Sequence, residues 1–453
     1  MITTLSAVFL LILTAGLGWA QGDREFEGVE IRVFAIEEPE SRAMANPDLL
    51  EQFYQETGIR VIPEIVGSQA YTDRMQIESM AGTGAFDITR IGPGSRADVV
   101  AAGWVQPLEP WVDKYEFRDE LDGYPASVLD SHAVIDGSLY GLPVNANIQL
   151  LAYRQDWFED EAEKAAFRER YGYELRPPET TQELLDAAEF FTRDTTGDGR
   201  TDVFGFFERQ AMLFPLAEVG YRLIWTWGGE IFAEDEDGSL SVAFDTDATV
   251  AALEWYRDLD QFMPATTVPG TFQEMESAWA RGEIAMLYTW IGTMRNILDP
   301  ELNPETHDVT GLILTPREET SGLSHGKTML GGGSYAIHAD SRNPEAAAQF
   351  LFWLMSEDQL DMYIAAGGAP PRTAFFEHPS VTESPIWTQI MPKWSDGLEF
   401  TGKNRVEVAG IIEPWHDILA NMVSDVVFGN IEPADAVRAA AAETTRVLER
   451  AGY

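Results

Sequence analysis

From Gly28 onward the apolar positions alternate between two periods. Residues 29–36 form an apolar run with interleaved charges, the mark of a strand with one face buried; Pro47 and Asp48 then open a helical pattern that runs to Thr57, with Gly58 placed to cap it. Residues 59–66 predict a second strand, 71–81 a helix, and 86–91 a third strand that stops at Gly92-Pro93-Gly94. Strand and helix in strict succession predict an α/β architecture. Further along, helical periods cover 182–191, 248–262 and 272–281; Leu253, Tyr256 and Leu259 share the inner face of the second, and Gly282 ends the third. A strand follows at 284–288, and another candidate at 329–337 carries Gly331-Gly332-Gly333. Pro344 starts an apolar helix in the one turn where proline costs nothing, and a last helix from Pro433 to Leu448 has Gly452 just past its end.

The stretch 137–158 departs from this rhythm. Gly137 supplies the positive φ of a tight turn, Pro143 pushes Leu142 towards extended geometry, and 148–153 is a short apolar run bounded by polar residues. Such a segment suits a buried strand that carries the chain from one lobe to another. The strand at 284–288, entered through Gly282-Glu283 and followed by Thr289-Trp290, offers a second crossing, and the glycine-rich run at 329–337 a third.

In this order the elements resemble extracellular solute-binding family 1, the maltose-binding-protein-like components of ABC importers. The resemblance implies a two-lobed fold of the periplasmic binding protein type II kind, each lobe a mixed sheet flanked by helices, joined by hinge crossings. Its implied boundaries are a signal peptide at 1–20, a first lobe at 21–147 and 289–333, and a second at 148–288 and 334–453. It further implies a monomer that breaks no bond. The protein would bind a carbohydrate, from mono- or oligosaccharide to polyol, between the lobes in the periplasm and hand it to a transmembrane permease.

Composition narrows the partners. The formal charge is −44, with 75 acidic against 31 basic residues, which argues against nucleic acid or an anionic membrane surface. Lysine occurs only at 114, 164, 327, 393 and 403, and so acidic a surface suits saline surroundings. The 15-residue apolar run from Leu5 to Trp19 is too short to span a bilayer comfortably and fits a signal peptide ending at Ala20, although no basic residue precedes it. With no cysteine, disulfides, thiolate metal sites, cysteine nucleophiles and a lipid-modified cysteine are excluded.

Candidate chemistry follows from position. Ligands of open α/β sheets bind beyond the carboxyl ends of the strands, which points to Glu37 and Glu38 after the first strand and to Gly92 and Ser95 after the third. A sugar presents an apolar face and a hydroxyl rim, so flat aromatics and planar polar groups hold it. Trp225, Trp227, Tyr288, Trp290 and Trp415 fall at or near the expected connections, while each taken alone is equally a core residue. Asn145 and Asn147 stand on the crossing, Gly332 and Gly333 let backbone approach a ligand, and Arg372 holds a hydroxyl pair or balances nearby acid. The resemblance implies that Asn147 takes the place of an acidic sugar ligand and that Trp415 is the late stacking aromatic.

Asp194, Asp198 and Asp202 recur every fourth residue around Gly199, the rhythm of a structural calcium loop, but Thr196 and Gly205 stand where such a loop wants oxygen ligands. A cation-free Asp/Gly turn fits equally well, and no cofactor is required. Other catalytic motifs fail. Gly322 to Thr328 is one residue short of a phosphate-binding loop, Gly332-Gly-Ser-Tyr-Ala336 mimics a nucleophile elbow without convincing partners, and the six histidines lack metal spacing. Two alternatives remain beside the sugar reading: a cationic ligand such as a polyamine, paired with Glu37 and Glu38, and an exported polysaccharide-degrading enzyme.

Overall fold

The computed structural model describes residues 26–92, 95–208, 213–236, 239–264, 272–399 and 412–453, so the expected signal peptide at 1–20 lies outside the described residues. Eight strands build the main sheet: β1 (Glu30–Ile36), β2 (Arg60–Val66), β3 (Ile88–Ile91), β4 (Leu142–Arg154), β5 (Phe207–Glu208), β6 (Met286–Trp290), β7 (Thr310–Ile313) and β8 (Leu330–Ile337). Their order is β2-β1-β3-β8-β4-β6-β5, with β7 also on β4. In the first lobe β1 is parallel to β2 and β3, and β8 runs antiparallel to β3. In the second, β6 and β7 are antiparallel to β4, and β5 is parallel to β6.

One strand belongs to both lobes. β4 is 13 residues long, against the six-residue run expected from the pattern. Its first half pairs with β8, from Tyr335 opposite Leu142 to Leu330 opposite Ile148. Its second half pairs with β6, beginning with Trp290 opposite Gln149, and with β7 from Ile313 opposite Leu151. The register slips once, between Gly333 and Ser334, where Ser334 faces Pro143. Proline has no N–H to give to the ladder, and a bulge is where a sheet tolerates it.

The local signals explain the element ends. Asn46 caps the Pro47–Thr57 helix by accepting from the N–H groups of Asp48 and Leu49 at 3.0 and 3.3 Å, and Gly58 closes it in the left-handed region at φ 77°. Thr180 and Glu183 form a reciprocal capping box on the Thr181–Phe191 helix.

Three apolar clusters hold the layers. Phe53, Phe350 and Trp353 anchor the first-lobe core against β1 and β8, and the Trp353 indole donates to Glu56 at 2.7 Å. Phe158, Phe191, Tyr256, Trp415 and Val437 fill the second. A third, with Ile148, Leu150, Trp279, Met294, Trp387 and Trp394, runs behind β4 where the lobes join.

The pairing revises the expected boundaries. β7 lies inside 289–333 yet joins the second lobe, while the second half of β8 and the Pro344–Leu354 helix, inside 334–453, belong to the first. The C-terminal helices Ile412–Val427 and Pro433–Ala451 do pack into the second lobe. Hydrophobic period identifies a strand but not its neighbour, so the chain returns to the first lobe one strand later than the pattern suggests and stays there longer.

Trp415 is fully buried against Phe232, Phe244 and Tyr221, at ring distances of 5.3, 5.4 and 5.9 Å, and stacks on no ligand surface. Truncating so large a core side chain costs about 3–5 kcal/mol. Trp415→Ala is therefore expected to lower the denaturant midpoint by that equivalent, whereas Trp415→Phe loses a fraction of it; equal midpoints for wild type and Trp415→Ala would contradict the placement.

Candidate ligand-binding cleft

Alternation along β4 divides its side chains between two environments. Ala146, Ile148 and Leu150 enter the apolar cluster behind the strand. Asn145, Asn147 and Gln149 occupy the opposite face at two-residue spacing, and the core of the second lobe takes over on that face at Leu151. Polar groups so placed need partners, and the structure supplies them from both lobes. Asn145 Nδ2 donates to Glu40 Oε2 at 3.1 Å, the Ile291 N–H donates to Asn147 Oδ1 at 3.1 Å, and Gln149 Nε2 donates to Glu218 Oε2 at 3.1 Å.

The first-lobe wall is built from the ends of β1 and β3, as the strand-end rule expects. Arg90 makes a two-pronged bond to Glu38, Nε to Oε1 at 2.6 Å and Nη2 to Oε2 at 3.0 Å, and donates from Nη2 to the Gly332 carbonyl at 2.8 Å. A planar fork with a fixed charge suits this triple contact. Gly92 sits alongside, a Cβ there falling 3.6 Å from Arg90 Nη1 and 3.9 Å from the Gly332 carbonyl. Glu40, two residues beyond Glu38, is buried; burial and the neighbouring Glu38 charge push its carboxyl up to about 7, against the opposing fields of Arg295 and Arg90.

The glycines of β8 form the floor. A Cβ on Gly331 would stand 2.5 Å from the Trp290 ring, which therefore lies directly over the backbone, and Gly332 holds φ at 100° with the Asn145 carbonyl where its Cβ would be. A Cβ on Gly333 would strike the Ile91 carbonyl at 2.7 Å. Below them buried His132 donates from Nε2 to the Gly331 carbonyl at 2.9 Å, and burial pulls its pKa down to about 4, so it stays neutral at pH 7.

The second-lobe wall is a buried polar group. Arg222 pairs with Glu208 at 2.6 Å, both about 95% covered, and stacks its guanidinium over Tyr288 at 4.5 Å. The Tyr288 hydroxyl bonds Thr315 Oγ1 at 2.8 Å. Thr328 Oγ1 accepts from the Gln149 N–H at 3.1 Å and donates to its carbonyl at 3.0 Å.

Of the residues singled out in the sequence, Glu38, Gly92, Asn145, Asn147, Trp290, Gly332 and Gly333 come together here. Ser95 lies exposed at the rim beside Gly92, and Tyr288 lies behind the wall with one ring face taken by Arg222. The rest go elsewhere. Glu37 is exposed and pairs with Arg42; Trp225 packs on Tyr221 at 5.1 Å and Trp227 on Trp255 at 5.1 Å. Arg372 is buried in the first lobe, bonded to Glu120 and the Met355 carbonyl and stacked on Tyr124. In an aromatic-rich chain a tryptophan near a connection is more often core: Trp225 and Trp415 are buried, and Trp227 packs half-buried against the same core.

The aspartates do not gather either. Asp194 accepts from the N–H groups of Thr196, Gly197 and Gly199, and Asp202 from Thr195, so the turn closes on its own hydrogen bonds. Among the described residues no three carboxylate or imidazole groups are placed to hold a metal ion.

Glu40, Arg90, Gln149, Glu208, Glu218, Arg222 and Thr328 were missed. The signal was present as polar residues inside apolar runs: Arg90 within Ile88–Ile91, Gln149 within the apolar half of β4, and Glu218 with Arg222 one turn apart on the Leu213–Thr226 helix.

Comparison with known proteins identifies the family. The sequence profile described as bacterial extracellular solute-binding protein matches residues 48–389. A probable amino-acid ABC transporter periplasmic-binding protein of Sinorhizobium fredii is 23% identical over 374 residues, 79% of this chain and 76% of its own. A mannitol-binding protein of Pseudomonas aeruginosa is 27% identical over 286 residues, 60% of this chain and 57% of its own. An ABC transporter solute-binding protein of Agrobacterium radiobacter, solved with ribitol, superposes with a TM-score of 0.76 at 22% identity, over 93% of this chain and 99% of that one. The chain belongs to the bacterial extracellular solute-binding protein family.

Proposed function

We propose that the protein is the periplasmic ligand-capturing component of an ABC importer, that it binds a sugar or polyol in the cleft over β4, and that it delivers it unchanged to a membrane permease. The observation that carries this reading is the polar face of Asn145, Asn147 and Gln149, on a strand shared by both lobes and flanked by carboxylates, Arg90 and the Trp290 ring. Planar amides and carboxylates suit hydroxyls, and an indole suits the C–H face of a carbon chain or ring. Related proteins named for mannitol and for erythritol or L-threitol, and solved relatives holding ribitol, D-mannitol and maltose, support the same ligand class.

The mechanism is a population shift. A ligand that touches both lobes only when they close stabilises the closed form by its difference in affinity between the two states, and the permease reads that form. The third cluster, behind β4, stays packed while the faces in front move.

A ligand at about 100 times its Kd adds about 2.7 kcal/mol to stability, which for a protein of this size raises the midpoint by about 3 °C. Screened against alditols, sugars, amino acids and polyamines, the mature protein is expected to shift this far with a polyol or sugar and to leave it chemically intact. A shift only with amines or amino acids, or conversion of an oligosaccharide to products, would overturn the assignment. Trp290→Ala is expected to weaken binding about 10-fold or more with little effect on the ligand-free midpoint, and Gly331→Ala, which displaces the indole, to weaken it as well. Calorimetry that finds unchanged affinity in both variants would remove Trp290 from the site.

A further inference from the structure

The three amides on β4 are not oriented alike. Asn145 and Gln149 each give their NH2 to a carboxylate, Glu40 from the first lobe and Glu218 from the second, which turns both carbonyl oxygens the other way. Asn147 is reversed, because its oxygen is taken by the Ile291 N–H and its NH2 is left to donate. All four members of the outer pairs are more than nine-tenths buried: Asn145 is 7% exposed, Gln149 8%, Glu40 6% and Glu218 8%. Asn145 Oδ1 and Gln149 Oε1 accept no hydrogen bond among the described residues. Gly332 keeps the first of them uncapped, since a Cβ there would stand 2.8 Å away.

Leaving a carbonyl oxygen buried and unpaired costs about 1–3 kcal/mol, a cost that a donated ligand hydroxyl would remove. Along the strand the pattern reads acceptor, donor, acceptor. Four residues of strand at about 3.3 Å each place the outer two about 13 Å apart. A ligand with ammonium groups alone cannot accept and one with carboxylates alone cannot donate, whereas hydroxyls, which do both, satisfy all three.

Resting on the sugar or polyol reading of the cleft, we infer that Asn145, Asn147 and Gln149, aimed by Glu40, Ile291 and Glu218, form a specificity strip. It takes a neutral five- or six-carbon acyclic polyol lying along β4, with a hydroxyl donated to each outer amide and one oxygen accepting from the middle one. A zigzag carbon chain of that length, with a hydrogen bond of about 2.8 Å at either end, covers the span.

Titration calorimetry of sorbitol, xylitol, erythritol, maltose, putrescine and adipate against wild type, Gln149→Leu and Glu40→Gln tests this. Wild type is expected to bind sorbitol or xylitol at least 10-fold more tightly than erythritol, and neither putrescine nor adipate. Gln149→Leu is expected to lose about 10-fold in affinity for the alditol and also to lower the ligand-free unfolding midpoint, because buried Glu218 loses the Gln149 donor. A structural role alone predicts the lower midpoint with affinity unchanged, and that result would overturn the inference.

Glu40 supplies a second readout. Glu38, Arg90, Arg295, Tyr335 and Tyr363 face it from the surrounding elements. Burial and the Glu38 charge raise its pKa to about 7, so between pH 8 and pH 6 the charged acceptor facing Asn145 becomes a neutral acid, a weaker acceptor with a competing O–H donor, and wild-type affinity is expected to fall as pH falls. Glu40→Gln stands in for the neutral acid at every pH and is expected to hold the lower affinity throughout and so flatten the profile; an unchanged profile would count against the strip. Alditol binding that withstands Gln149→Leu, or that prefers maltose or erythritol, refutes this inference and leaves the importer reading standing, whereas binding of putrescine or adipate in place of any polyol refutes both.

Discussion

A buried backbone cannot leave its N–H and C=O groups unpaired, and β4 meets that demand by changing partners in mid-strand. Up to Ile148 it is a member of the first-lobe sheet beside β8; from Gln149 it belongs to the second beside β6 and β7. Everything else about the site follows from that exchange. The glycines of β8 let the Trp290 ring down onto the backbone, Pro143 obliges the register to slip, and the polar face of the strand lies where both lobes reach it. The cleft is the place at which one strand stops being the property of either sheet.

Charge is handled in two ways. On the outside, arginines meet glutamates in exposed pairs such as Arg42 with Glu37 and Arg281 with Glu283, each worth little in water. Inside, three arginines are committed: Arg90 to Glu38, Arg222 to Glu208 and Arg372 to Glu120. A buried pair gains little over an apolar substitute but is severely penalised when one member is lost, so it fixes geometry more than it adds stability. Two of these pairs stand on opposite walls of the cleft, and the third locks helices of the first lobe.

Much of the fold was legible because its signals were local. Gly58 and Gly452 end their helices, Pro344 begins one, and the strand-end rule led to Glu38 and Gly92. Asn145 and Asn147 were legible as polar residues on a crossing. What failed was non-local. Nothing in the period of 310–313 or 330–337 says which edge each strand joins, and the aromatic count could not separate Trp290, laid on bare backbone, from Trp225, Trp227 and Trp415, enclosed by other rings. Arg90 and Gln149 were in plain view as polar letters inside apolar runs, and the habit of assigning such runs wholesale to the core hid them.

The pairing of Arg90 with Tyr335 has a consequence in time rather than space. β3 is made early in synthesis but has no neighbour on that edge until β8 has left the ribosome, and the second-lobe core waits longer still for Trp415 and Val437. Contacts so distant along the chain are slow to form, because the intervening loop must be closed before any of them is rewarded. The first-lobe core is complete only once Tyr363 has been made, and the second only with the C-terminal helices, so the two lobes are completed one after the other: β1 comes first, yet its sheet waits for β8.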